Sequence, residues 1–110
     1  MTRWVAAAWL LLAAGWAGAA SNPYGALPVE VTFDKVPGAP VYYTIGYSGV
    51  PDSQNAGHTS NAGFVVTDEG VVVFDALGTP ALGWALLREI RRCTDKPVKH
   101  VVISHYHADH

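Results

Sequence analysis

The stretch from residue 71 to residue 103 constrains the fold more than any other part of this chain. It begins with the apolar run Val71-Val72-Val73-Phe74, passes through a helix-forming segment and ends with the apolar residues Val101-Val102-Ile103. Two strands joined by one helix over about thirty residues favour a parallel pair connected by a right-handed crossover. The sequence therefore predicts an α/β fold.

The helix between these two runs has a predicted start, face and end. Thr79-Pro80 supplies a capping hydroxyl followed by proline at the first helical position. Asp95-Lys96-Pro97 predicts its end. Apolar residues recur at helical spacing along one stripe: Leu82, Leu86, Ile90 and Cys93. Cys93 is the only cysteine, so this segment has no internal disulfide. We expect the Cys93 side chain to have a small apolar role and to be at least half-buried.

Two hairpins are predicted upstream of the helix. Residues 29–33 alternate apolar and polar side chains, which predicts a half-buried strand that pairs with residues 41–45. Residues 61–67 and 71–74 flank the turn residues Asp68-Glu69-Gly70 and predict a second hairpin.

Residues 71–74 are all apolar, and residues 98–103 are apolar except for Lys99 and His100. Neither run alternates, so we expect burial on both faces and a central place in the sheet. Between the two predicted hairpins, residues 46–60 are rich in glycine and predict a long loop. We expect His58 in this loop to be a surface residue and not a metal ligand, because a lone histidine among glycines rarely binds metal.

The last six residues, His105-Tyr106-His107-Ala108-Asp109-His110, hold three of the five histidines. In an extended segment His105 and His107 point the same way and can bind one cation, while Asp109 and His110 can serve a second. Imidazole and carboxylate ligands suit zinc, and also iron or manganese. A catalytic zinc usually takes three protein ligands and a water, so at least two further ligands must come from other residues.

An H-x-H-x-D-H motif after a buried strand resembles the metal motif of the metallo-β-lactamase fold superfamily, most of whose members are zinc-dependent hydrolases. The resemblance spans roughly residues 58–110 and includes the segments 61–66 and 71–75. It implies an αββα sandwich, of which residues 29–110 would be the N-terminal part.

The resemblance also implies a role for each motif residue. His105 and His107 would bind a first metal, and Asp109 and His110 a second. Asp75 would hydrogen-bond the metal-binding loop from outside the ligand set.

The implied activity is hydrolysis of a carbonyl or phosphoryl centre in a small-molecule substrate by a water that two zinc ions activate, with Asp109 orienting that water. Alternatives are a class B β-lactamase, a thioester hydrolase, and a non-catalytic periplasmic metal-binding accessory protein. Among the superfamily's periplasmic members we favour those linked to quinoprotein or sulfur-oxidation systems. The family's later histidines and bridging acid have no counterpart in residues 1–110, so we expect these residues alone to be inactive and poorly stable.

The N-terminus predicts export. Met1-Thr2-Arg3 carries one positive charge, residues 4–17 are apolar or small, and small residues follow where a signal peptidase cleaves. We therefore expect a signal peptide over residues 1–20, a mature start at Ala20 or Ser21, a linker over 21–28, and a periplasmic or secreted protein without stable membrane association. An uncleaved anchor is the alternative. The net charge of -2 gives no reason to expect nucleic acid, and the oligomeric state stays open.

Overall fold

The computed structural model describes residues 21–110; the predicted signal peptide lies outside the described residues. Five strands form one sheet in chain order, with every pair antiparallel except the last, which is parallel. The elements are β1 (Asp34–Lys35), β2 (Val41–Thr44), β3 (Ala62–Val66), β4 (Val71–Phe74), α1 (Pro80–Cys93) and β5 (Val98–Val102). This mixed sheet with one helix confirms the predicted α/β class. No helix within residues 21–110 is long and apolar enough to span a membrane.

Helix α1 follows its sequence signals closely. The Thr79 hydroxyl accepts a hydrogen bond from the Leu82 N–H at 3.3 Å, so the predicted cap is confirmed. At the other end the Thr94 N–H donates to the Ile90 carbonyl at 2.9 Å. The helix connects β4 to its parallel neighbour β5, as the strand–helix–strand pattern predicts.

The core lies between α1 and one face of the sheet. Phe64 is its largest side chain; it is 1% exposed and stacks on Tyr42 with ring centroids 4.7 Å apart. The buried cluster comprises Ala62, Phe64, Val71, Val73, Leu77, Leu82, Leu86 and Ile90. Cys93 packs against this cluster and is half-buried, as expected.

The first predicted strand is misplaced. Val31 and Phe33 pack against the core as their alternation indicates, but residues 29–33 form no ladder. Strand β2 instead pairs Tyr43 with Asp34 and Tyr42 with Lys35. Pairing is set by the register that the turn imposes, and this register brings only the two residues nearest the turn into the sheet.

Residues 21–28 contain neither helix nor strand, and the Asn22 side chain donates to the Ala81 carbonyl at 2.8 Å.

The expectation of two-sided burial is wrong for both apolar runs. In β4, Val71 and Val73 are buried while Phe74 is 53% exposed. Strand β5 lies at the edge of the described sheet and not at its centre, and Val101 and Ile103 are 52% and 51% exposed. The reason is that α1, the one helix of residues 21–110, covers a single face of the sheet. Burial on one face leaves the other side of an apolar run open.

Candidate metal centre

The loop after β4 and the motif after β5 lie side by side at the carboxyl ends of the parallel pair. The Asp75 N–H donates to the Val102 carbonyl at 2.8 Å, and the Ala76 N–H donates to the His110 carbonyl at 2.7 Å. Asp75 and Leu77 adopt positive φ angles of 54° and 68°, which are uncommon for residues with a side chain. Such conformations cost about 1–3 kcal/mol each and persist only where surrounding contacts fix them. At Asp75 the hydrogen bonds to Ser104 and His110 do so.

The Asp75 carboxylate organises the start and the end of the motif together. Its Oδ1 accepts the Ser104 N–H at 2.7 Å, and its Oδ2 accepts the Ser104 hydroxyl at 2.8 Å. The same Oδ2 lies 2.8 Å from His110 Nδ1. Burial raises the pKa of Asp75, but the bonds from Ser104 and His110 outweigh it, so the net pKa is below its usual value. Asp75 is therefore an ionised acceptor that holds His110 Nδ1 as a donor.

Three imidazole rings gather beside this carboxylate. His105 Nε2 lies 2.9 Å from His107 Nδ1, and the ring centroids of His105 and His110 are 4.1 Å apart. The other His105 nitrogen, Nδ1, lies 2.9 Å from the Ser104 hydroxyl. The rings of His105 and His107 thus meet, although residues 105 and 106 form a bend and not the extended segment that the sequence argument assumes.

Asp109 completes the cluster. Its Oδ2 lies 4.0 Å from His110 Nε2, the nitrogen that does not face Asp75. The Thr59 hydroxyl donates to that Oδ2 at 3.3 Å, and the Ser60 hydroxyl donates to the Asp109 carbonyl. The segment around these residues is a turn closed by a bond from the His110 N–H to the His107 carbonyl at 3.2 Å.

The donor set fits a transition-metal cation in its chemistry. Imidazole nitrogens 2.9 Å apart are close to the separation of about 3.3 Å that two ligands of one tetrahedral zinc adopt, given Zn–N bonds of about 2.0–2.1 Å. His110 has the carboxylate partner on its far nitrogen that metal-binding histidines usually have. Within residues 21–110, however, no group of three or more His, Cys, Asp or Glu side chains is arranged to hold a metal ion. The motif side chains therefore come together as pairs of possible ligands, His105 with His107 and Asp109 with His110.

His58 is not the surface residue that the sequence predicts. It is 2% exposed, its Nε2 lies 3.5 Å from the Thr44 hydroxyl, and Tyr47 packs edge-on against its ring at 5.9 Å. Its Nδ1 has no hydrogen-bond partner in the described part of the chain. Burial lowers the pKa of His58 below its usual value. The glycines around it do not expose it, because the loop folds back onto the end of β2.

Several residues that contact the motif were not predicted. Ser104 directly precedes the motif, and its position alone could have drawn attention to it. Thr59 and Ser60 lie about fifty residues away along the chain and carry no sequence signal. Gly78 packs against Asp109, and its role is visible only in the folded chain.

Comparison with protein families identifies the superfamily of the chain. The model of the metallo-beta-lactamase superfamily matches residues 56–110, half of the chain, and includes the loop end at Thr59, Asp75 and the whole motif. The chain belongs to the metallo-beta-lactamase superfamily. None of the curated proteins compared with the chain matches it significantly. Membership indicates a metal-dependent hydrolase in general, and the superfamily commonly binds zinc.

Proposed function

We propose that the protein is an exported dizinc hydrolase that acts on a carbonyl or phosphoryl centre of a small molecule. His105 and His107 would hold one zinc, and Asp109 and His110 the other. Iron or manganese could take the place of zinc, since imidazole and carboxylate suit all three. The proposal of export depends on the predicted signal peptide over residues 1–20.

One observation carries the proposal: the contact between Asp75 and His110 beside the His105–His107 pair. Because the Asp75 carboxylate accepts from His110 Nδ1 at 2.8 Å, the proton of the neutral ring lies on Nδ1. His110 Nε2 then has a free lone pair, and it faces Asp109 Oδ2 at 4.0 Å. Metal-binding histidines usually have this arrangement, with one ring nitrogen on a hydrogen-bond acceptor and the other free for the metal.

The remaining residues have roles that follow from their contacts. Ser104 joins Asp75 to His105 through its hydroxyl, so the orientation of His105 depends on the same carboxylate. Metal ions bound here would polarise the scissile carbonyl or phosphoryl group and lower the pKa of a water. Asp109 is the acidic motif residue with its carboxylate beside a histidine nitrogen, and it can accept a hydrogen bond from an attacking water.

The test is hydrolysis by the full-length protein of β-lactam, thioester and phosphoester reporters. We expect turnover of at least one class, loss of turnover after removal of metal with a chelator, and recovery when zinc is added back. Turnover that a chelator leaves unchanged, in a protein shown to be free of metal, would contradict a metal-dependent mechanism. Variants of His105 and Asp109 should be inactive in the same assay.

A second candidate is a non-catalytic metal-binding protein, and one observation favours it. Within residues 21–110 the motif presents pairs of ligands and no group of three, whereas a catalytic zinc normally has three protein ligands. Zinc bound by the intact protein with no turnover of any reporter class would favour this candidate.

Among hydrolases, the periplasmic branch linked to quinoprotein or sulfur-oxidation systems is our preferred subgroup, and class B β-lactamases and thioester hydrolases are the rivals.

A further inference from the structure

Two hydroxyl groups at the end of the glycine-rich loop form hydrogen bonds with Asp109. Thr59 Oγ1 donates to Asp109 Oδ2 at 3.3 Å, and the Ser60 hydroxyl donates to the Asp109 backbone carbonyl. Ser60 is 5% exposed, so its bond is shielded from water. One hydroxyl thus holds the backbone of Asp109 while the next one holds its carboxylate.

Gly78 also packs against Asp109. A Cβ built on Gly78 would lie 2.9 Å from Asp109 Cα and 3.3 Å from the Ala108 carbonyl oxygen, closer than real Cβ atoms usually approach. The φ angle of Gly78 is not in the positive region, so glycine is needed here for space and not for conformation. Both Gly78 and Ser60 therefore contact the Asp109 backbone.

The position of Thr59 is itself fixed by the sheet. The neighbouring His58 is buried against Thr44, the last residue of β2, and its carbonyl accepts the Tyr47 N–H at 2.8 Å. A hydroxyl that follows directly after such an anchor has little freedom to move away from Asp109. The contact consequently depends on the fold and not on a flexible loop tip.

We propose that Thr59 is a positioning residue that sets the orientation of the Asp109 carboxylate, and thereby the strength of the cation site that Asp109 shares with His110. This inference rests on the proposed function. Within residues 21–110, Thr59 Oγ1 is the one donor within hydrogen-bonding distance of that carboxylate. An ionised carboxylate without a fixed donor can rotate, and each rotation moves the oxygen that faces His110 Nε2. Loss of such an outer contact usually weakens metal binding about 10–100-fold.

The experiment compares Thr59→Val, which keeps the shape and removes the hydroxyl, with Thr59→Ser, which keeps the hydroxyl. Zn²⁺ alone is titrated into the metal-free full-length protein against a chromophoric chelator, and the absorption spectrum is recorded with Co²⁺. We expect Thr59→Val to weaken one of two zinc sites about 10–100-fold and to change one component of the cobalt spectrum. Thr59→Ser should restore both properties to near wild type.

Thr67→Val is the matched control. The Thr67 hydroxyl donates to the Gly70 carbonyl at 2.7 Å in the turn between β3 and β4, away from the motif, so its loss should leave both zinc affinities unchanged. Gly78→Ala would crowd the Asp109 backbone and should weaken the same site as Thr59→Val. If Thr59→Val does not fold, Thr59→Ala, which also lacks the hydroxyl, replaces it.

Four outcomes distinguish the positioning role of Thr59 from the proposed function. Wild-type affinity of both sites in Thr59→Val, or a Thr59→Ser protein as impaired as Thr59→Val, would overturn the positioning role and leave the proposed function intact. Equal weakening of both sites would overturn it as well, because the effect would then be general. A wild-type protein that binds no zinc would instead overturn the proposed function on which the inference rests.

Discussion

Replacing Asp75 with asparagine should disable one ligand of the proposed centre without removing any side chain that contacts metal. Asp75 has φ 54°, a conformation that asparagine also tolerates, so the backbone of the loop should be preserved. The change removes one negative charge and converts one acceptor oxygen into an NH₂ donor. Its effect can be followed atom by atom.

The amide of the new residue has one favoured orientation. The Ser104 N–H can only donate, so the amide oxygen must face it, in the place of Oδ1. The NH₂ group then faces the Ser104 hydroxyl, which can rotate to accept, and His110 Nδ1. His110 can accept on Nδ1 only if its proton moves to Nε2. That proton occupies the lone pair which the proposed second cation needs.

The magnitude follows from the bonds that change. Hydrogen bonds to charged groups contribute about 1.5–3 kcal/mol and neutral ones about 0.5–1.5, a difference of about 1–1.5 kcal/mol per bond. Three weakened bonds should therefore lower the free energy of unfolding by roughly 3–4 kcal/mol. Changes in the outer contacts of a metal ligand reduce metal affinity about 10–100-fold. We expect a reduction of that size for the Asp109–His110 site. A smaller reduction should affect the His105–His107 site, because the Ser104 hydroxyl that reorients also contacts His105 Nδ1.

The assay is zinc titration of the full-length protein against a chelator, with ¹⁵N NMR of the histidine rings to locate the His110 proton. Asp52→Asn is the matched control, since Asp52 accepts the N–H groups of Gln54 and Asn55 in an exposed loop away from the motif. Two zinc affinities within about twofold of wild type in Asp75→Asn, well below the expected tenfold loss, would refute the reasoning. A His110 ring whose proton stays on Nδ1 in Asp75→Asn would also refute the reasoning.

Three further predictions concern other parts of the chain. Replacing His105 or His107 with alanine should remove mainly one bound metal, and replacing Asp109 or His110 mainly the other, as measured by metal content per chain; loss of both metals in every variant would contradict two separable pairs. N-terminal sequencing of exported protein should read from Ala20 or Ser21, and an intact Met1 in a membrane fraction would identify an anchor instead. Burial lowers the pKa of His58, so the unfolded chain takes up its proton first as the pH falls through about 6.5; stability should be full above that pH and decline below it by up to about 1.4 kcal/mol per pH unit. Denaturant unfolding at pH 7.5 and 5.5 should show a smaller pH difference in His58→Gln than in wild type, and equal differences would count against the buried neutral ring.

The local elements of the fold were predictable because their signals are local. The cap at Thr79, the stripe of Leu82, Leu86 and Ile90, and the turn at 68–70 each arise from neighbouring residues, and all are present as expected. Residues 29–33 show the limit of this reasoning. Alternation tells which side chains face inward, but pairing depends on the register of a partner strand that the pattern does not contain.

Burial was harder to predict because it depends on layers and not on the run itself. A stretch such as 98–103, which is apolar at four of its six positions, is compatible with a central strand or with an edge strand, and only the number of covering elements decides between them. The prediction that His58 is a surface residue was wrong for a related reason. Its flanking glycines suggested exposure, whereas the loop returns to β2 and buries the ring beside Thr44.

For the candidate site, the sequence supplied the motif and Asp75 but not the contacts that arrange them. The hydrogen bonds from Thr59 and Ser60 join residues about fifty positions apart. No periodicity or spacing links such residues, because hydroxyl side chains are common on loops and become specific only through folding. The metal roles of His105, His107, Asp109 and His110 stay predictions.

The measurement that tests the central claim most directly is the metal content of the purified full-length protein, determined by elemental analysis and native mass spectrometry after expression with zinc. The motif predicts up to two transition-metal ions per chain, and a variant with His105, His107, Asp109 and His110 all replaced by alanine should carry none. A wild-type protein without bound metal, or a quadruple variant that retains the full complement, would contradict the claim that these residues form the metal centre.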